Sequence, residues 1–391
     1  MPLDRVALQW FHPGMEQKKN ITYGGHGFDM SAAAGPAQAR GRGARSNRSG
    51  RFEAEERVWI DDGWTPPEEW LEDGAGVRTT ETADATRTII ARNSSPDISF
   101  DRSINPYRGC EHGCIYCFAR PTHAYLGLSP GIDFETKLLY KPEAARLLEK
   151  ELRAPGYQCR VIAIGTNTDP YQPIERRRQV TRQILEVLAR FEHPVGIVTK
   201  SALVTRDLDI LAPMAEKGLV KVALSVTTLD RRLARSMEPR ASTPENRLAA
   251  IRELSRAGVR TAVMAAPMIP SLNEPEMEAI LERAAEAGAR EAGYILLRLP
   301  LEIADLFREW LESETPNRAG RIMKLIRDMR GGRDYDAAWG RRMSGAGPYA
   351  EMMARRFRIA ARRLGLNEAK LRLDTSRFQR PPAPGDQLSL L

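Results

Sequence analysis

Cysteine and histidine are scarce in this chain, four and five residues among 391. That excludes a disulfide framework, because three of the cysteines (Cys110, Cys114 and Cys117) crowd one short stretch and cannot staple separate loops. Long apolar runs are missing too. No segment is apolar for long enough to cross a bilayer, and the first residues lack the charged-then-apolar order of a secretion signal. The expectation is a cytoplasmic protein with no membrane partner. Aromatic residues make up only 7% of the chain, yet a hydrophobic fraction of 42% suits a soluble globular protein. At this length, one large domain with appendages or two domains are expected.

What the chain has in excess is positive charge, a net +8 with a pI near 9.4. A basic balance favours a polyanionic partner, DNA or RNA, although ordinary soluble enzymes share it. The densest part, "RGRGARSNRSGR" from Arg40 to Arg51, holds no large apolar side chain. Disorder is expected there, as a solvated tail or as a nucleic-acid contact. The opening fourteen residues differ in texture from the rest of the chain, and Met15 competes with Met1 as the start.

Residues 1–55 thus read as a disordered basic arm. Residues 56–103, with Trp59, Trp64 and Trp70 and turns at Pro66 and Pro67, read as an N-terminal segment packing on the β/α region. From 104 to 300, short β-branched runs alternate with amphipathic helical patterns. Strands are expected at Arg160–Gly165, Val195–Lys200, Val220–Val226, Val259–Ala266 and Ala292–Arg298. One helical pattern spans 176–191; in another, Thr243 caps, Pro244 takes the first helical position and Gly258 closes. The strand runs are near-continuously apolar, as in a parallel sheet covered on both faces. With a short strand before Cys110 they make six β/α units, so the fold class is α/β, a partial (β/α)6 barrel. Residues 301–375 read as a helical region over the barrel or its open side, and 376–391 as a flexible tail.

The spacing C-x3-C-x2-C puts three thiols on one tight loop, where Gly109 and Gly113 let the backbone bend. A structural zinc site takes four protein ligands. Cys159, the fourth cysteine, stands apart before an expected strand, where packing explains it. An iron–sulfur cluster held by three cysteines suits the set better, because its unligated iron is left to bind something else. A zinc loop or a redox-sensing loop stays open as the alternative.

With Tyr116 just before the last cysteine and Phe118 just after it, the motif resembles that of the radical S-adenosylmethionine (SAM) superfamily, over roughly 104–300. The resemblance implies a 4Fe–4S cluster on Cys110, Cys114 and Cys117, with SAM and an external electron donor. It also implies reductive cleavage of SAM to a 5′-deoxyadenosyl radical that abstracts hydrogen from a substrate. "GTNTDPYQPIE" and "VTKS" look like the branch that contains spore photoproduct lyase. Carried over by position, Lys200 meets the cofactor's carboxylate, Ser225 its ribose, Thr168 makes a further polar contact, and Phe118 lies near the adenine. The placement agrees with physics, since ligands of parallel β/α folds sit at the carboxyl ends of strands. One departure matters: where the lyase carries a hydrogen-donating cysteine, this chain has Thr166, so the lyase's own repair route is not expected.

Further polar residues fall at the same mouth. Asp169, Tyr171 and Glu175 occupy a natural substrate position, followed by Arg176, Arg177 and Arg178, which read as phosphate contacts or as the start of a solvated helix. Glu238 and Arg240 read as an ion pair or as substrate recognition, and Arg298 ends the last strand, available to an anion of cofactor or substrate. Asp133, Glu135 and Lys137 read as a structural set, and His112 and His123 suggest no second metal. At the far end Gln387, Leu388, Leu390 and Leu391 resemble the short peptides that dock on the replication sliding clamp. Nucleic acid is the leading substrate class. The alternatives are the same chemistry on a protein or small molecule, and a non-catalytic iron–sulfur redox module.

Overall fold

Short β-branched runs separated by amphipathic helices can bury their apolar faces only by stacking side by side beneath those helices, and the chain does so. The computed structural model describes residues 41–53, 78–369 and 372–382. Trp59, Trp64, Trp70, Met15 and Gln387–Leu391 lie outside the described residues.

Two sheets form. Strands β1 (Thr80–Ala83), β4 (Tyr107–Arg108) and β5 (Lys137–Tyr140) make a small one, with β5 at its centre. The larger has β2 (Ala91–Arg92) antiparallel at one edge. Six parallel strands follow it in sequence order: β3 (Arg102–Ile104), β6 (Ile162–Ile164), β7 (Val195–Thr199), β8 (Val220–Ser225), β9 (Arg260–Met268) and β10 (Glu291–Leu296). This is the expected partial (β/α)6 barrel.

The connections carry α1 (Asp133–Thr136), α2 (Ala144–Arg153), α3 (Glu175–Arg178), α4 (Val180–Arg190), α5 (Leu208–Glu216), α6 (Arg231–Met237), α7 (Pro244–Arg256) and α8 (Met277–Glu286). After β10 come α9 (Ile303–Glu314), α10 (Pro316–Asp328) and α11 (Pro348–Arg363). Helix α7 begins as its sequence says: the Thr243 hydroxyl accepts from Asn246 N–H, and Pro244 takes the first helical position. The pattern over 176–191 breaks in two at Gln179, whose φ is +53°. Beyond the break, the buried Glu175 carboxylate accepts from Thr181 N–H (3.0 Å) and Arg182 N–H (3.3 Å), supplying α4 with an N-terminal cap.

The sheet is not covered on both faces. Val195, Ile197, Val220, Val222, Leu224 and Val263 are buried in one core with Ile184, Leu188, Leu211 and Ile251 of the surrounding helices. The alternate residues Gly196, Val198, Lys221, Ala223, Ala262 and Met264 stay partly exposed, because a curved sheet leaves its concave side lining an interior.

A second core joins Cys114, Ile115 and Tyr116 to Met237 and to Phe307, Trp310, Ile322 and Ile326, so α9 and α10 pack on the cysteine loop. From Arg330 to Gly347 the chain then spans the open side of the barrel. Leu296 N–H at the β10 edge donates to Met343 O (3.0 Å). At the other edge, Asp97 in the β2–β3 loop accepts from Gly340 N–H (2.7 Å) and Arg342 Nε (2.5 Å).

The arginine-rich stretch differs most from expectation. Residues 41–51 are packed rather than loose: Arg42, Gly43, Ala44 and Ser46 are buried. Arg45, Arg48 and Arg51 pair with Glu314, Glu309 and Glu302, acidic residues of α9 and its first-turn boundary. Composition indicated disorder because the stretch has no large apolar side chain to bury. Here the order comes from ion pairs and backbone hydrogen bonds with residues distant in sequence.

Candidate active site

The cysteine loop starts where β4 pairs with β5 and is fixed at several points along its length. Cys110 N–H donates to Phe134 O (2.9 Å) and Ile115 N–H to Met237 O (3.0 Å). Gln172 holds both sides of Cys110, accepting from Glu111 N–H (2.9 Å) and donating to Gly109 O (3.2 Å). Gly113, at φ +69°, has no room for a side chain, because a Cβ there would stand 2.7 Å from a Glu135 oxygen.

Cys110 and Cys114 are buried and Cys117 is half-buried. Burial pushes the Cys110 thiol well above its ordinary range, and Asp169, Cys114 and Cys117 add to the effect. Burial also raises Cys114, helped by Glu238 and opposed by Lys200. Thiols buried this far from water become thiolates only beside a cationic centre, as in an iron–sulfur ligand set. Among the described residues no three His, Cys, Asp or Glu side chains converge on a point that one ion would occupy. Cys159 stands apart, half-buried beside Arg102 and Asp374, its thiol pushed up to about 11 chiefly by burial.

The expected ligand residues do collect at this end of the barrel. Lys200 follows β7, its ammonium 5.7 Å from the Tyr116 ring centroid. Arg298 follows β10 and lies 4.3 Å over the ring of Phe118, itself 42% exposed. Neither cation has a carboxylate partner among the described residues. Burial lowers the Arg298 guanidinium from its ordinary value. Ser225 ends β8, its hydroxyl donating weakly to Ala266 O (3.4 Å). The buried Thr168 hydroxyl donates to Tyr107 O (2.8 Å), tying the loop after β6 to the start of the cysteine loop.

Other expectations are corrected. Asp169, Tyr171 and Glu175, read as a substrate position, are each tied to partners within the chain. Asp169 accepts from Thr199 Oγ1 (2.6 Å), Lys200 N–H (2.7 Å) and Tyr171 N–H (2.9 Å), with His112 Nδ1 at 3.4 Å. Burial alone would raise its carboxyl, but His112 and these donors hold it at about 2. Tyr171 donates to Asp207 (3.0 Å), and Glu175 is closed in by Arg206 (2.8 Å) and Tyr107. Arg177 and Arg178 pair with Glu81 of β1. Glu238 does not pair with Arg240; it takes Arg247, Tyr116 and Thr227, while Arg240 reaches Glu111 (3.4 Å). Asp133 pairs with Lys137 (3.0 Å) as a structural set would, but Glu135 pairs with Arg120.

Sequence reasoning missed the buried Glu238 network and the Arg120–Glu135 pair. Both rest on partners that no local spacing connects, up to 122 residues apart.

Known proteins agree with this architecture. The family model for the radical SAM superfamily matches residues 104–284. The uncharacterized protein Rv2578c of Mycobacterium tuberculosis (strain ATCC 25618 / H37Rv) is 39% identical over 232 residues, 59% of this chain and 68% of that protein. The radical SAM Nalpha-GlyT isomerase of Pseudomonas phage M6 is 24% identical over 199 residues, 48% of this chain and 39% of that protein. Among solved structures, spore photoproduct lyase complexed with dinucleoside spore photoproduct superposes with a TM-score of 0.54 at 17% identity, over 73% of this chain and 80% of that one.

Proposed function

This chain belongs to the radical SAM superfamily, and from that premise we propose that it modifies or repairs a nucleic acid by hydrogen abstraction. The observation that carries the reading is a triad of free thiols on one loop at the mouth of six parallel strands, flanked by two cations with no carboxylate partner among the described residues. A 4Fe–4S cluster and SAM held there would supply radical hydrogen-abstraction chemistry, given an electron from an external donor. Cys110, Cys114 and Cys117 would hold the cluster. Lys200 would neutralise the methionyl carboxylate, and Ser225 and Thr168 would offer oxygens to the cofactor's polar groups. Phe118 would lie against the adenine, with Arg298 held on its face as a second anion contact.

Three observations support nucleic acid as the substrate class. The phage relative and the lyase bear names that refer to GlyT and to a dinucleoside photoproduct. On α10, Arg318, Arg321 and Lys324 are exposed at helical spacing and make no ion pair with described residues. The segment crossing the barrel's open side presents Trp339, 58% exposed, beneath Arg342. A basic stripe and an exposed indole are the kinds of group that meet a phosphate backbone and an unstacked base. Thr166, half-buried after β6, has a hydroxyl O–H bond too strong for a hydrogen-atom donor, so we assign no thymine-dimer reversal by the lyase's route. The sequence Gln387–Leu391 remains a proposed sliding-clamp peptide.

The test is anaerobic reconstitution followed by dithionite and SAM. Release of 5′-deoxyadenosine is expected. Lys200→Met should weaken SAM binding about 10- to 100-fold, the loss of one charge-assisted hydrogen bond, with the cluster spectrum unchanged. A fully loaded, reduced protein that leaves SAM intact would rule the enzyme out.

A further inference from the structure

The arginine-glycine arm touches the cysteine loop itself, and one buried carboxylate makes the connection. Glu135 is fully buried, with three donors on its two oxygens: Ala44 N–H (2.8 Å) and Arg120 Nη2 (2.5 Å) on one, Gly43 N–H (3.0 Å) on the other. Arg120, equally buried, spends its remaining N–H groups on carbonyls. They go to Cys114 O (2.9 Å), Gly113 O (3.1 Å), Pro130 O (3.1 Å) and Gly131 O (2.9 Å). One desolvated ion pair therefore joins three separate segments, and every donor it owns is used.

The arm also meets the loop backbone to backbone. A Cβ on Gly43 would stand 1.7 Å from Gly113 O, between the first two cysteines, and a Cβ on Gly131 would stand 2.2 Å from Ser46 O. Asn47 and Asp133 exchange hydrogen bonds of 3.0 and 2.8 Å, and Arg42 donates to Glu135 O (3.1 Å). On the outer side the pairs with Glu302, Glu309 and Glu314 press the arm against the loop. Three of the arm's arginines thus have carboxylate partners within the chain.

We propose that residues 41–51 form an intramolecular clasp, with Glu135 and Arg120 as positioning residues, that sets the Cys110–Cys117 loop and keeps water from its Gly113 side. The inference rests on the reading of the three cysteines as cluster ligands. Loss of the clasp would move the Gly113 and Cys114 carbonyls, and with them two of the three sulfurs. It would also admit water, which stabilises the more negative, reduced cluster and raises its potential.

Two full-length variants test this, Gly43→Ala and Glu135→Gln. After reconstitution, iron should be extracted by a chelator at least tenfold faster than from the wild type, and the midpoint potential should move positive. In cluster-free protein, amide hydrogen exchange over 110–120 should quicken at least tenfold while β7, β8 and β9 keep their protection. Exchange within twofold of wild type in both variants would overturn the clasp whether or not a cluster loads. A wild type that takes up no iron, with the exchange difference still present, would instead overturn the cluster reading and leave the clasp standing. If Gly43→Ala does not fold, Glu135→Gln carries the measurement, because it removes the charge without adding volume.

Discussion

Lys200 and Arg298 differ from the charged residues around them, nearly all of which are tied to a protein partner. Asp169, Glu175 and Glu238 are drawn into buried networks, as a carboxylate must be once it leaves water. Titration follows the same rule at His193. Its Nδ1 faces Pro194 O (3.0 Å) and so carries the proton, leaving Nε2 to accept from Tyr157 (2.8 Å). Burial pushes its pKa down to about 4. The unfolded chain, with an ordinary histidine near 6.5, binds that proton first as pH falls. Stability from this group is therefore whole above about pH 6.5 and is lost progressively down to about 4, by about 3 kcal/mol at most. Urea unfolding of the wild type and His193→Gln from pH 7.5 to 4.5 checks the sign: the wild type should lose more stability, and parallel pH profiles would contradict the assignment.

Among the elements, the break between α3 and α4 shows how a pattern is overruled. Periodicity over 176–191 favours one helix, but it would leave Glu175 with no N-terminal amides to receive. The break supplies them, at the cost of a left-handed Gln179. Gln179→Gly should be neutral or stabilise by up to about 1 kcal/mol, because glycine adopts that φ without strain. A loss above that size in denaturant midpoint would show that the Gln179 side chain contributes more than its backbone costs. Parallel strands and the α7 caps were legible because the forces that form them act within a few residues. The one-sided burial of the sheet was not, because curvature belongs to the assembled barrel.

For the whole molecule, the decisive feature is how an incomplete barrel is bridged. The 330–347 segment joins β10 to the β2–β3 loop, and Asp97 is its far anchor, taking both Gly340 and Arg342. Asp97→Ala should free that end. Limited proteolysis within 333–345 should quicken several-fold with far-ultraviolet circular dichroism unchanged, and an identical digestion pattern would count against the anchor. The same crossing carries the exposed Trp339, with Arg342 over its ring.

Signals local to the chain were enough for the β/α class and for the order of the strands. The three cysteines at fixed spacing pointed to their chemistry only through resemblance to a family motif, and the strand-end residues were carried over with it. Which charges are used up was settled by folding alone. Arg45, Arg48 and Arg51 look like a solvated basic tail until α9 brings carboxylates to them, and Glu135 looks like a surface residue until Arg120 and the amides of Gly43 and Ala44 close around it. A charge shows its sign in the sequence. Its partner depends on how far water is excluded, and that is fixed only once distant segments have met.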